Sequence, residues 1–271
     1  MADGAARLQA AFTSAEGPIF MPYVMGGYPT LAESARYATV IARHAGVLEL
    51  GMPYSDPLAD GPTIQAAGQR ALDAGCRVQD VLDIAAGLAS DGPPIAFMTY
   101  YNTLLASGID AFVRRAADAG IAGLIVPDLP VDEAHVLRAA ASAVGIAVIA
   151  LAAPTTTDSR LEEIGAEAAG FLYAVAVAGV TGGKTVLDDG LRDFLARAKA
   201  RVPVPIAVGF GIRSAEQAAE MGGVADGVVI ASELIRLIET AESPAAAEQA
   251  LDTFCAEVVA ALSGAATIAE R

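Results

Sequence analysis

The sequence predicts an α/β protein folded as a single (β/α)8 barrel, and three observations carry that prediction. Eight short apolar runs punctuate the chain, Ala-rich stretches with helical periodicity separate them, and no linker or composition break interrupts the series over 271 residues. The runs are Ile19–Met25, Val47–Leu50, Ile95–Thr99, Gly123–Val126, Ala147–Ala150, Phe171–Ala174, Ile206–Val208 and Gly227–Ile230. Between them apolar residues recur at three- and four-residue spacing, as in Ala111–Ala119 and Ser214–Met221, the mark of a helix with one buried face. One extra helix is expected before the first strand, a short one after the eighth, and a final Ala-rich helix in the tail from Ala245 to Arg271. Residues 1–271 are expected to form one domain. Spacing does not reveal strand order, so a doubly wound sheet is the alternative fold.

A barrel places its chemistry at the C-terminal ends of the strands and in the loops that follow. In chain order those positions hold Tyr23 at the first strand, then Glu49 and the loop Tyr54–Asp60 at the second. Tyr100-Tyr101-Asn102 follows the third strand and Pro127-Asp128 the fourth, while Tyr173 lies in the sixth. Gly179-Val-Thr-Gly182, with Gly183-Lys184-Thr185, follows the sixth strand, Val208-Gly-Phe-Gly-Ile212 the seventh and Ala231-Ser232-Glu233 the eighth. Aromatic residues make up only 6% of the chain, so several at one rim suggest a flat apolar ligand; any one of them is more commonly a core residue. The glycines let backbone amides approach an oxyanion, and Ala231-Ser232-Glu233 would cap a short helix aimed at the same point.

Composition narrows the function. A formal net charge of −15 argues against nucleic acid and anionic membranes, so an anionic substrate has to be held by local backbone donors. No apolar stretch is long enough to span a bilayer, and a cytoplasmic protein is expected. Two cysteines, Cys76 and Cys255, build no disulfide framework and read as small helix residues.

The stretch from Glu49 to Gln65 reads Glu-Leu-Gly-Met-Pro-Tyr-Ser-Asp-Pro-Leu-Ala-Asp-Gly-Pro-Thr-Ile-Gln. Side chains alternate along a strand, so Val47 and Glu49 share one face, Leu48 and Leu50 the other, and Glu49 points where an apolar residue belongs. Desolvation should raise its pKa towards neutrality, where a carboxyl both gives and takes a proton. The structural alternative is a buried ion pair with an arginine. Asp56 reads as a turn former before Pro57, Asp60 as a wetter, ionised carboxylate, and Thr63 as the N-cap of the next helix.

The remaining inventory limits the reaction. Lys184 and Lys199 are the only lysines and neither lies inside a strand, which disfavours a Schiff base. His44 and His135 fall in or beside helical stretches, which leaves no His-ligated metal, and no Gly-x-Ser-x-Gly elbow is present. Carboxylate acid/base chemistry remains, on a substrate that supplies its own electron sink. An indole ring does so: protonation at the substituted ring carbon permits a retro-aldol break, and a carboxylate near the ring N–H holds the positive charge.

The chain resembles the tryptophan synthase alpha subunit family through Glu49–Gln65, Met98-Thr-Tyr-Tyr-Asn102, Val126-Pro-Asp-Leu-Pro130, Gly179-Val-Thr-Gly182 and Val208-Gly-Phe-Gly-Ile212, in family order from Tyr23 to about Ile235. The resemblance implies a TIM barrel that cleaves indole-3-glycerol phosphate to indole and glyceraldehyde 3-phosphate. It implies Glu49 as general acid/base, Asp60 as partner of the indole N–H, Tyr173 beside them, and Tyr23, Ile64, Tyr100 and Phe210 around the ring. Thr181, Gly182, Gly211 and Ser232 would lie at the phosphate, where Ala231 replaces the usual glycine and adds a methyl group. It further implies an α2β2 complex with a β subunit, in which pyridoxal phosphate belongs only to the β partner and this chain needs no cofactor. The 53–60 loop and the loop from Gly179 to about Asp189 would close over substrate. A standalone lyase and a weakly active subunit that mainly binds and activates a β partner remain alternatives.

Overall fold

The computed structural model describes residues 3–175, 187–209 and 211–269. Eight parallel strands close on themselves in chain order. They are β1 (Ile19–Met25), β2 (Leu48–Gly51), β3 (Ile95–Met98), β4 (Ile121–Ile125), β5 (Ala147–Ala152), β6 (Leu172–Val175), β7 (Ile206–Gly209) and β8 (Gly227–Ile230). Closure between β8 and β1 pairs Ile19 with Gly227 and Pro22 with Ile230, which rules out the doubly wound sheet. Strand positions match the sequence expectation; β4 starts two residues before the expected Gly123 because Ile121 already pairs with Ile95, and the register shifts at Ala122 before Gly123 pairs with Ala96.

Two apolar layers hold the barrel. Leu8, Phe12, Ile19, Met21, Val47, Ile149 and Phe171 fill its interior, while Leu48, Leu50, Phe97, Leu124 and Val208 face the surrounding helices. The extra N-terminal helix, α1 (Gly4–Thr13), supplies Leu8 and Phe12 and plugs the N-terminal end; Phe12 lies 5.7 Å from the Phe171 ring. Gly4 permits this docking, since a Cβ there would lie 2.1 Å from the Ala122 carbonyl oxygen. With the bottom plugged, open space for a ligand remains at the C-terminal mouth.

The helices that frame the mouth are α2 (Leu31–Ala42), α3 (Pro62–Asp73), α4 (Val78–Leu88), α5 (Tyr101–Ser107) and α6 (Ile109–Asp118) on one side. On the other are α7 (His135–Ser142), α8 (Asp158–Glu167), α9 (Asp189–Lys199), α10 (Ala215–Gly222) and α11 (Ser232–Thr240), with α12 (Pro244–Ala269) crossing outside α2 and α10. Thr30, Thr157, Asp188 and Ser214 cap their helices by accepting a backbone N–H three residues on. Three local expectations need correction. Thr63 lies inside α3, whose N-cap is Gly61, because Pro62 takes the first helical position, where a missing N–H costs nothing. Ser232 is the first residue of α11, and Ala231 before it offers no capping side chain. Cys76 lies in the turn between α3 and α4, where its sulfur approaches the Gly26 carbonyl; Cys255 is helical, and both cysteines are buried and free.

Candidate active site

Glu49 pairs in register with Tyr23 of β1 and Ala96 of β3, so its side chain turns into the barrel near the strand ends. It is 1% exposed, and among the described residues its Oε2 has no hydrogen-bond partner. Among the described residues no cation contributes to its titration. Burial pushes its carboxyl from 4.5 up to about 8, a hydrogen bond from Tyr173 pulls it down, and the charge of Asp60 pushes it up. Among the described residues the buried ion pair with an arginine is therefore not found. At neutral pH Glu49 is mostly a neutral acid that a small change in surroundings can ionise.

Asp60 is only partly buried and ionises below neutral pH, as its loop position suggested, but its carboxyl does not stay at the usual value. Burial raises it to about 6, while a hydrogen bond from the Tyr100 hydroxyl opposes the shift. It still ionises about two pH units before Glu49.

The tyrosines divide by what their hydroxyls touch. Tyr23 and Tyr173 are interior and sense the charges of Glu49 and Asp60; burial, then those charges, raises both phenols. Both rings lie over strand glycines. A Cβ on Gly51 would sit 2.0 Å from the Tyr23 Oη, and one on Gly209 would sit 2.6 Å from the Tyr173 Oη. Tyr100 instead holds the loop: its ring stacks on Tyr54 at 4.8 Å, its hydroxyl accepts from Ala59 N at 3.0 Å and donates to Asp60 Oδ2 at 3.2 Å. Gln65 donates to the carbonyls of Pro57 at 3.2 Å and Asp60 at 2.8 Å, pinning the same loop to α3.

Tyr23, Glu49, Asp60, Tyr100 and Tyr173 thus come together, and Ile64 lies half-buried in the first turn of α3 below the loop. Gly211 follows β7 with φ +37°, a left-handed conformation that favours glycine, and Ser232 stands half-buried at the start of α11. Thr181, Gly182 and Phe210, together with Lys184, lie outside the described residues. At the rim Asp128 caps α5 by accepting from Tyr101 N at 2.9 Å, whereas Lys199 lies at the opposite end of the barrel, paired with Asp226 at 3.0 Å just before β8. Sequence reasoning assigned no separate role to Tyr54, Gln65 or Gly51, and it read Gly209 as an oxyanion-loop glycine, not as the seat of the Tyr173 ring. Gly51 alone left a usable signal, a missing side chain two positions after an inward Glu. A cavity of about 410 Å³ lies apart from this centre, where α7 and α8 meet β4 and β5; Val126, Pro127, Leu151, Ile164, Arg138 and Arg160 are among its lining, and no candidate site residue is.

Fold and site together define a (β/α)8 barrel enzyme whose C-terminal mouth carries two carboxyls that burial raises to different extents. Comparison with known proteins gives the family. The model for the tryptophan synthase alpha chain matches residues 10–263. The tryptophan synthase alpha chain of Roseiflexus sp. is 47% identical over 224 residues, 82% of this chain and 86% of the relative; that of Gloeobacter violaceus is 44% identical over 256 residues, 93% and 92%. Among solved structures, Mycobacterium tuberculosis tryptophan synthase aligns with a TM-score of 0.87 at 34% identity, covering 97% of this chain and 99% of that one. The alpha subunit from Legionella pneumophila aligns with a TM-score of 0.88 at 31% identity, covering 97% and 100%. The chain belongs to the tryptophan synthase alpha chain family.

Proposed function

We propose that this chain performs the alpha reaction of tryptophan synthase, retro-aldol cleavage of indole-3-glycerol phosphate to indole and glyceraldehyde 3-phosphate, with Glu49 as general acid/base and Asp60 as partner of the indole N–H. The observation that carries this reading is Glu49, buried, titrating at about 8, with one oxygen left unpartnered among the described residues. Neutral Glu49 donates its proton to the substituted ring carbon of indole. Asp60, ionised at neutral pH, faces the ring N–H and holds the positive charge that develops there. The Glu49 carboxylate, stabilised by the Tyr173 hydroxyl, then takes the proton of the side-chain hydroxyl next to the ring. The carbon–carbon bond breaks, its electron pair returns to the ring, and indole and the phosphorylated aldehyde separate with Glu49 protonated again.

In this reading Tyr23, Ile64 and Phe210 surround the ring, Tyr100 keeps Asp60 in place, and Thr181, Gly182, Gly211 and Ser232 receive the phosphate. The ring serves as its own electron sink, so no cofactor is needed in this chain, and pyridoxal phosphate belongs to the β partner. We take residues 1–271 as one barrel domain working in the cytoplasm within an α2β2 complex. Among the described residues the exposed large apolar side chains are Leu31, Leu58, Leu105 and Val136, in the segments that follow β1 to β4 at the mouth. One sector of the rim is therefore suited to a partner that accepts indole where it is released.

Indole release by the purified chain, with and without a tryptophan synthase β subunit, tests the reading. Slow turnover that rises strongly with the partner is expected. Equal, rapid turnover without it would mean a standalone lyase, and turnover that survives Glu49→Gln would refute the acid/base assignment.

A further inference from the structure

Behind the mouth, a polar node joins three segments that the reaction does not use directly. Tyr28, 2% exposed in the loop after β1, donates its hydroxyl to Glu239 Oε1 of α11 at 3.2 Å and accepts from Arg70 Nη1 of α3 at 3.2 Å. The Arg70 guanidinium stands 3.7 Å from Glu239 and 6.0 Å from the centre of the Tyr28 ring. Burial and the Glu239 charge raise the Tyr28 phenol, so its proton stays in place to be shared. Exposed ion pairs of this kind contribute little to stability, too little to explain three segments converging on one buried hydroxyl.

The two helices joined here lead to the two ends of the substrate in the function proposed above, on which this inference rests. The loop bearing Asp60 runs into the N-terminus of α3 through Gly61 and Pro62, and Gln65 pins it there. Ser232 opens α11. Arg70 lies eight residues along α3 from Pro62, and Glu239 lies seven along α11 from Ser232. At ~1.5 Å of rise per residue the node stands ~10–12 Å behind both N-termini. A relative tilt of about 5° at the node would move either N-terminus by about 1 Å, a displacement that commonly costs about a hundredfold in reactivity.

We infer that Arg70, Tyr28 and Glu239 are positioning residues that set the separation between the indole half-site on α3 and the phosphate half-site on α11. Such a tie acts on a ligand that spans both half-sites and leaves separate fragments unaffected, because only a linked ligand requires the two halves to be in register.

The test compares Arg70→Met, Glu239→Gln and Tyr28→Phe with the full wild-type chain, using as probes a non-cleavable indolylalkyl phosphate, indole alone and inorganic phosphate alone. Arg70 and Glu239 are surface residues, so their variants should fold with little change in Tm. The expected result is about tenfold weaker binding of the linked probe and unchanged binding of both fragments. Arg70→Lys should recover part of the loss. The inference is overturned if linked and separate probes weaken in parallel, or if Tm alone moves. Wild-type protein that does not bind the linked probe would overturn the function proposed above and this role with it. Wild-type protein that binds it while the variants bind it equally well would overturn the tie alone.

Discussion

Glu49→Gln should change the pH dependence of stability as well as activity. In the folded chain Glu49 holds its proton up to about 8, whereas the unfolded chain releases it near 4.5. Between those values the folded state binds more protons, so stability must fall as pH rises through this window. This is the opposite sign to a carboxylate held low by an ion pair. Between about pH 5.5 and 8 the difference amounts to about 3 kcal/mol of lost stability from this one group, an order-of-magnitude figure since one pKa unit corresponds to about 1.4 kcal/mol. Full burial means that solvent does not screen it away. Glutamine keeps the shape and does not ionise, so the variant should lack this slope. The smaller slope from Asp60 remains in both proteins and cancels in the comparison. The assay is urea unfolding of wild type and variant at several pH values across the window, with indole formation measured on the same samples. Activity should drop by at least about a hundredfold, the usual scale for removing a general acid/base. Parallel stability curves would show that Glu49 is not a desolvated acid in the free chain, and the argument for its role from burial would fail.

Three further outcomes follow from the same geometry. The kcat/KM profile of the wild type should be bell-shaped, rising through about 6 as Asp60 ionises and falling through about 8 as Glu49 loses the proton it must donate; Asp60→Asn should remove the rising limb, and a flat profile would contradict the division of roles. Gly51→Ala should destabilise the chain by about 1–3 kcal/mol in denaturant unfolding and slow turnover, since the added methyl would occupy the position of the Tyr23 hydroxyl. Leu58→Ser, at a side chain 93% exposed, should leave Tm and the partner-free rate unchanged while reducing stimulation by a β subunit, as read from a titration of indole formation.

The division between sequence and structure follows how far apart the interacting residues lie. Strand positions were readable because apolar runs and helical spacing are local patterns, and Glu49 was readable because period-two alternation turns it inward whatever its neighbours are. The N-cap of α3 was misplaced for a local reason too: Thr63 had the better capping side chain, but Pro62 took the first helical position. Asp60 was expected to be a wetter, ionised carboxylate because its loop looks polar, and the upward shift of its pKa was not legible. Its partial burial arises only when Tyr100, forty residues away, stacks on Tyr54 and bonds to the loop.

By itself the sequence determined the eightfold βα alternation, the inward carboxyl on β2 and the set of residues that resembles one family. Each of these follows from side-chain periodicity or from motif spacing along the chain. The tertiary structure decided closure of the sheet, the meeting of Glu49 on β2 with Tyr173 on β6, the gap between two carboxyl pKa values, and the tie of Arg70 to Glu239 through Tyr28. Those depend on desolvation and on contacts between strands or helices remote in sequence, which exist only once the barrel has closed and water has left its interior.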